Sequence, residues 1–274
     1  MSLLSFVESL SPIIDHYEIL SSSDEEIILR LLDNSSIKEE EQVEKDLENR
    51  LNPLLSSHFK SDIYYLTVSA LLKERILRLS LLKLYDETLE PIGFFTKNKY
   101  IEFSNFYPLS LPLMKTKKYQ LIKGFSIEWK GKTYPTSEHI YQCEKYDDEE
   151  YRELVRNAPT AGLAAKIGKM SLQGINMYKD KEYAINAIRR YKERIKINPN
   201  WSTCKYGIMI EIIKAKFDQH EDLRNLLITT YPQRLVEESP YDVYWGEGKN
   251  KDGHNHLGRI LMAYRDSLLS KNKF

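Results

Sequence analysis

Cysteine is scarce in this 274-residue chain, which holds 2, Cys143 and Cys204. Two cannot build a disulfide framework, and they lack the spacing of a metal site, so a reducing compartment is expected. No run approaches the roughly eighteen apolar residues of a membrane span. The opening M-S-L-L-S-F-V-E-S-L has neither the basic start nor the apolar core of a secretion signal. A cytoplasmic protein with no membrane partner is expected, with the nucleus left open. Internal repeats are absent, as is low complexity beyond an acidic run from Lys38 to Arg50. No glycine-rich phosphate loop follows a strand, and strand and helix do not alternate, so a doubly wound fold is not expected. Net charge is missing too, since 40 basic residues balance 40 acidic ones, yet the total conceals a split. Residues 1–90 carry 9 Lys and Arg against 18 Asp and Glu, and residues 91–274 carry 31 against 22. The second part welcomes an anionic ligand, and the first is a poor surface for direct contact with nucleic acid.

What the chain does have is 42% hydrophobic residues, enough for a real core. The apolar positions Ile27, Leu29, Leu31 and Leu32, and then Leu66, Val68, Leu71, Leu72, Ile76, Leu77 and Leu79, are read at helical spacing. They predict an all-helical region over 1–90, with Ser21–Asp24 capping its first helix and Pro53 marking a break or a helix start. The acidic run reads as a solvated helix or a mobile connection. Such a region could bind a protein partner, cover a pocket or add core. At Pro91-Ile92-Gly93 the texture changes. Ile92–Phe95 and Tyr100–Phe106 read as short strands or extended segments, and Phe125–Tyr134 as a hairpin whose Lys130-Gly131 turn uses glycine for its positive φ. Helices are predicted over Ala161–Lys169, Lys181–Lys196, Ser202–Phe217, Leu223–Ile228 and Gly258–Leu269, with prolines between them. The expectation for 91–274 is an α+β domain, predominantly helical, with a small sheet.

Between the hairpin and those helices lies T-Y-P-T-S-E-H-I-Y-Q-C-E-K-Y, Thr133 to Tyr146. Pro135 restricts the backbone, and Thr136 or Ser137 can cap the helix that follows. At about 100° per residue, Gln142 and Lys145 fall within roughly 40° of Glu138. A carboxylate, an amide and an amine thus share one face, which can grip a polar ligand and move protons. The plainer reading is a solvated helix face. His139 points off that face and reads as packing or support, and Cys143, roughly opposite, as packed and not reactive. His254 and His256 bracket Asn255, but no third ligand stands at useful spacing, so no metal is expected.

From residue 103 onward the motifs run F-S-N-F (103–106), G-K-T-Y-P-T-S-E-H (131–139), Y-Q-C-E-K-Y (141–146) and A-A-K-I-G-K (164–169). They continue with N-W (200–201), A-K-F-D-Q-H (215–220), D-V-Y-W-G-E-G (242–248) and G-H-N-H-L-G-R-I-L-M (253–262). In this order the chain resembles the NADAR family of YbiA-like proteins. The resemblance implies a YbiA-like fold over 91–274, no cofactor, and cleavage of the bond between a ribose anomeric carbon and a nitrogen. Two substrate classes are implied. One is ADP-ribose on guanine bases of nucleic acid or nucleotides, and the other is the phosphoribosyl aminopyrimidines of riboflavin biosynthesis. A non-catalytic reader of ADP-ribose or nucleotide is a reading of a different class. The joint presence of Glu138, Lys145, Trp201, Asp242 and Trp245 counts against it.

An oxocarbenium-like centre asks for negative charge nearby, help for the departing nitrogen and a place for water. Glu138, in the first turn of its helix, is expected to be ionised and to stabilise the cation or activate water. The resemblance makes Lys145 catalytic, through sugar contact or a Schiff base with the opened ribose; the other reading is a surface lysine. It also places Trp201, Asp242 and Trp245 with Gly246 at the ligand. Asp242 would accept ribose hydroxyls or assist the leaving group, and the indoles would offer a flat face to a base. Gly246 and Gly248 favour an exposed turn there. Asn105 and Asn255 would give amide hydrogen bonds, with Phe106 as an apolar wall; turn and cap chemistry is their alternative. Lys181, Arg189, Arg190, Lys192, Arg194 and Lys196, in a stretch longer than in compact members, either track phosphates of ADP-ribosylated nucleic acid or form a solvated face.

Overall fold

A computed structural model describes residues 3–9, 17–23, 26–31, 40–59, 64–71, 76–95, 100–108 and 125–271. Asp24, Leu32, Lys38 and Leu72, named above, lie outside the described residues. In chain order the elements are α1 (Leu3–Glu8), β1 (Tyr17–Ser22), β2 (Glu26–Leu31), α2 (Glu40–Phe59), β3 (Tyr64–Leu71), β4 (Ile76–Lys83) and β5 (Ile92–Phe94). Then come β6 (Ile127–Trp129), β7 (Lys132–Tyr134), α3 (Ser137–Cys143), α4 (Glu149–Arg156), α5 (Ala161–Gly168) and α6 (Lys181–Tyr191). The last are α7 (Trp201–Asp218), α8 (Glu221–Ile228), β8 (Leu235–Glu237) and α9 (His256–Lys271). The chain divides into two compact units, Met1–Ile92 with Thr230–Phe274 as unit 1, and Gly93–Thr229 as unit 2.

Unit 1 corrects the all-helical expectation for 1–90. Four strands pair antiparallel in the order β1-β2-β4-β3. Ile27 stands opposite Leu79, Leu29 opposite Leu77, Val68 opposite Leu79 and Ala70 opposite Leu77, so the buried residues lie two apart and the period is that of a strand. Adjacent apolar pairs such as Leu71-Leu72 and Ile76-Leu77 hide that alternation in the sequence. The inward face packs on Leu3, Phe6 and Val7 of α1 and on Leu51 and Leu55 of α2. Ser23 makes the bond expected of a helix cap, its hydroxyl accepting the Glu26 N–H at 3.0 Å, but in the turn between β1 and β2.

Pro53 neither breaks nor starts a helix, because it lies inside α2. The acidic run has a structural use there. On the open edge of β3, the N–H groups of Leu66, Val68 and Ala70 donate to Asn52 Oδ1 (2.7 Å), Glu48 Oε1 (2.9 Å) and Glu44 Oε1 (2.6 Å). Four helical residues rise about 6 Å and two strand residues about 6.8 Å, so side chains four apart meet N–H groups two apart. The helix thereby covers the edge of the sheet. The C-terminal segment is tied to this unit by two fully buried arginines of α9. Arg259 Nη1 donates to the Asn52 carbonyl at 3.1 Å, and Arg265 donates to the carbonyls of Leu84 (2.9 Å) and Thr230 (3.1 Å).

Unit 2 is mostly helical, with the expected hairpin at its start, where Ile127 pairs with Tyr134 and Trp129 with Lys132. Its turn has Lys130 at φ 48 and Gly131 at φ 75. Tyr100–Phe106 is not extended, since it holds a 3-10 turn at Ile101–Phe103. The sequence reading has no helix at α4, whose buried side is only Tyr151 and Val155; its start is set by Asp148, which accepts the Tyr151 N–H at 2.8 Å. Among the described residues no helix is long and apolar enough to cross a membrane.

Candidate active site

Thr136 starts α3, accepting the His139 N–H at 3.3 Å and meeting His139 Nδ1 at 2.8 Å. The other ring nitrogen lies 3.0 Å from the Ala158 carbonyl, which can only accept, so the neutral ring carries its proton on Nε2. Burial lowers the His139 pKa to about 4 against the opposing effect of that carbonyl, and the residue packs as expected. Burial likewise pushes the Cys143 thiol up to about 12, consistent with a packed cysteine whose Sγ lies 3.2 Å from the Arg152 carbonyl.

All seven residues of α3 are buried, so its polar face is no solvated surface. Glu138 is 7% exposed, and Gln142 Nε2 donates to its Oε1 at 2.7 Å, as the spacing predicted. Lys145 differs in origin. The helix ends at Cys143 with Glu144 as its cap, so Lys145 reaches out from the following turn and not from the helix face. It is nonetheless 7% exposed, with Nζ 5.4 Å from the centre of the Tyr141 ring and 5.8 Å from that of Trp201. Two aromatic faces attract an ammonium group. The Lys145 carbonyl accepts the Asn198 N–H at 2.8 Å, and the Asn198 carbonyl accepts that of Trp201 at 2.9 Å, which anchors the indole beside the lysine.

Asn105 joins this group through its backbone, its carbonyl accepting the Glu138 N–H at 3.0 Å. The loop bearing Asn105 and the half-buried Phe106 is held by Lys216, which is 0% exposed. Lys216 Nζ donates to the carbonyls of Glu102 and Ser104, the latter at 3.0 Å. Sequence reasoning quoted Lys216 within a motif but gave it no task; a lysine amid the apolar residues of I-I-K-A-K-F was the available signal. Among the described residues the Asn105 amide nitrogen reaches only Met209 Sδ, at 3.4 Å. Asn105 Oδ1, Ser137 Oγ and Gln142 Oε1 are among the buried side-chain atoms of the described residues with no hydrogen-bond partner, others lying elsewhere in both units. Each such atom costs about 1–3 kcal/mol unless something pairs with it. All three belong to residues bonded or adjacent to Glu138, so the orphaned atoms mark a place for polar ligand groups. Ser137 and Tyr141 were missed as site residues; Tyr141 meets Lys145 across the turn that ends α3, which spacing along a helix does not report.

Asp242, Trp245, Gly246 and Asn255 lie in unit 1 and form one system of turns. Asp242 Oδ1 accepts the N–H groups of Tyr244 (2.9 Å) and Trp245 (2.7 Å). The carbonyls of Trp245 and Gly246 accept the N–H groups of Leu257 (3.0 Å) and Asn255 (3.1 Å). Trp245 is half-buried, but Gly246 and Gly248 are buried, against the exposed turn expected of them. A Cβ at 246 would lie 2.6 Å from the Glu237 carbonyl, so glycine is demanded by close backbone approach. Asn255 is fully buried at φ 48; its Oδ1 accepts the Glu237 N–H at 3.0 Å and its Nδ2 donates to the Leu235 carbonyl at 2.8 Å. The turn chemistry weighed for it is what its amide performs here. Among the described residues no group of three His, Cys, Asp or Glu could hold a metal ion.

Residues 94–269 match the NADAR domain family. The chain belongs to the NADAR family. Over 173 residues, 63% of this chain and 84% of the relative, it is 35% identical to the N-glycosidase YbiA of Shigella boydii serotype 4. It is 33% identical over 143 residues to the chloroplastic riboflavin biosynthesis protein PYRR of Zea mays, covering 50% of this chain and 20% of that protein. The NMR structure of the Escherichia coli protein YbiA aligns with a TM-score of 0.48 at 30% identity, covering 70% of this chain and 97% of that one. The NADAR match contains every site residue named above. It contains α6 as well, which ends at Tyr191, short of the expected Lys196; Arg189 and Arg190 on it and Lys192, Arg194 and Lys196 after it are exposed, with Arg190 paired to Glu150 at 2.6 Å.

Proposed function

We propose that this NADAR protein is an N-glycosidase that hydrolyses a ribosyl C–N bond, with ADP-ribose on guanine bases of nucleic acid or nucleotides as its substrate. The observation that carries the reading is the buried Glu138 carboxyl group, held by Gln142 at 2.7 Å, in a residue bonded or adjacent to three that carry unpartnered buried atoms, Asn105, Ser137 and Gln142. The name of the YbiA relative supports the reaction class.

In such a reaction the C–N bonding pair leaves with the nitrogen, and C1′ passes through an oxocarbenium-like state. Ionised Glu138 stabilises that centre and takes a proton from the water that adds to C1′; that proton balances the one the departing nitrogen gains, so Glu138 returns to its ionised form. The products are the unmodified guanine, still in its nucleotide or nucleic acid, and ADP-ribose with a new anomeric hydroxyl. Asn105, Ser137 and Gln142 offer hydrogen bonds to the sugar, and Lys145, braced by Tyr141 and Trp201, contacts the sugar or its phosphates. Attack of Lys145 on the opened ribose as a Schiff base is the alternative course. In unit 1, Asp242 serves by ordering the backbone that carries Trp245.

A second reading takes a phosphoribosyl aminopyrimidine as substrate, and the riboflavin biosynthesis name of the maize relative favours it. The test is an assay of the purified protein with Glu138→Gln and Lys145→Ala variants on ADP-ribosylated guanosine, ADP-ribosylated DNA and a phosphoribosyl aminopyrimidine. Mass spectrometry follows release of ADP-ribose from the first two and of ribose phosphate from the third. The wild type is expected to release ADP-ribose from the first two, leaving guanosine and unmodified DNA; release only from the third selects the second reading, and binding without release reveals a reader. Full activity in both variants would sink the assignment of the site.

A further inference from the structure

Tyr178 follows the 3-10 turn Ile175–Met177, which begins after Gly174 at φ 66, and its N–H donates to the Ile175 carbonyl at 3.1 Å. Its phenol lies against α5. A Cβ at Gly162 would collide with the Tyr178 hydroxyl oxygen and with Cε1 and Cζ of the ring, so only glycine leaves that seat open. The same helix admits Gln142 in the same way, because a Cβ at Gly168 would collide with its Oε1 and Cβ. Two glycines of α5 thus seat two polar side chains, and Gln142 is the one that holds Glu138.

Three other tyrosines of this unit hydrogen-bond to backbone carbonyls. Tyr146 donates to the Gly168 carbonyl (2.8 Å), Tyr151 to that of Ile167 (2.7 Å) and Tyr183 to that of Leu154 (2.9 Å). The Tyr178 ring is half-buried, and among the described residues nothing hydrogen-bonds its hydroxyl. Burial raises its pKa and the nearby Glu138 carboxylate raises it further, so the group stays a protonated donor within the field of that carboxylate. A neutral donor of this kind suits a sugar hydroxyl, which can accept from it without leaving a buried charge behind.

We propose that Tyr178 contacts the substrate, its phenol O–H donating a hydrogen bond to a hydroxyl of the ribose whose C1′ faces Glu138. The proposal rests on the N-ribosyl reading of the site and adds a residue that selects ribose over its deoxy counterparts. Its test compares the wild type with Tyr178→Phe on the hydrolysed N-ribosyl substrate and on its 2′-deoxy and 3′-deoxy analogues, with thermal denaturation as the check on folding. Tyr178→Phe is expected to lose about tenfold in kcat/KM on the ribosyl substrate. It should also lose the wild type's discrimination against one of the two analogues. Unchanged kcat/KM, or an equal loss on all three substrates, overturns the proposal, the latter because a structural role cannot sense a sugar hydroxyl. If the wild type hydrolyses no N-ribosyl substrate, the functional reading falls, and the same comparison is made by calorimetric titration with ADP-ribose. Weaker binding by Tyr178→Phe then keeps the contact, whereas equal binding, or none by either protein, discards it.

Discussion

Asn52 in unit 1 and Asn105 in unit 2 are both buried asparagines, and they are used in opposite ways. Asn52 is complete: its Nδ2 donates to the carbonyls of Glu48 (3.1 Å) and Leu66 (2.8 Å), and its Oδ1 accepts the Leu66 N–H (2.7 Å). With Glu44 and Glu48 it finishes the edge of a sheet. Asn105 has a thioether sulfur for one end of its amide and, among the described residues, nothing for the other. Satisfied polar groups hold a frame in one register, because every competing arrangement would leave them unpaired. Unsatisfied ones keep a free-energy penalty in the fold that a ligand can remove. The same residue type therefore separates scaffold from site, and what distinguishes the two is the count of partners.

The largest effect that could break this comparison is at Glu138. Glu138→Gln is expected to lower turnover by about 10³-fold, since the group acts on developing charge. The melting temperature should not fall, because an amide still accepts from Gln142 and removes a buried charge. Parallel loss of activity and stability would make Glu138 part of the frame. Next in size is His139. Its folded pKa of about 4 lies below the ordinary 6.5, so between those values the unfolded chain binds more protons and stability falls as pH drops from about 6.5 toward 4. The loss approaches roughly 3 kcal/mol. Denaturant titrations at pH 7 and pH 5 measure it, and His139→Asn should flatten the difference; a slope unaltered in the variant refutes the buried neutral ring.

The smallest effects make the sharpest contrast. Asn52→Ala strands the Leu66 N–H and should cost about 2 kcal/mol of stability while leaving the kcat/KM of the folded fraction unchanged. Asn105→Ala removes an unpaired amide, so it should leave stability within about 0.5 kcal/mol and lower kcat/KM about tenfold. Measuring melting and turnover on both variants decides the matter. If both variants lose the same property, the division between scaffold and site asparagines is wrong.

Local features were legible in the chain. The β6–β7 hairpin with its Lys130-Gly131 turn, the cap at Thr136 and the approach of Gln142 to Glu138 each depend on residues within about a turn of one another, where spacing governs contact. The strands of unit 1 were not legible, because adjacent leucines and isoleucines satisfy both a helical and a strand period. Only pairing with β4 selects the second. The end of α3 at Cys143 was likewise invisible, and with it the fact that Lys145 approaches Tyr141 and Trp201 from a turn.

By itself, then, the sequence determined that Glu138 and Gln142 share a face, that Cys143 and His139 pack, and which ordered motifs mark the family. It also contained Glu44, Glu48 and Asn52 at intervals of four, without saying what they would meet. Tertiary structure alone decided that these three cap β3, that Lys216 holds the Asn105 loop, and that Gly162 and Gly168 admit Tyr178 and Gln142. The physical reason is that periodicity reports which way a side chain points, whereas the value of a polar group depends on the partner it finds, and those partners lie up to 207 residues away.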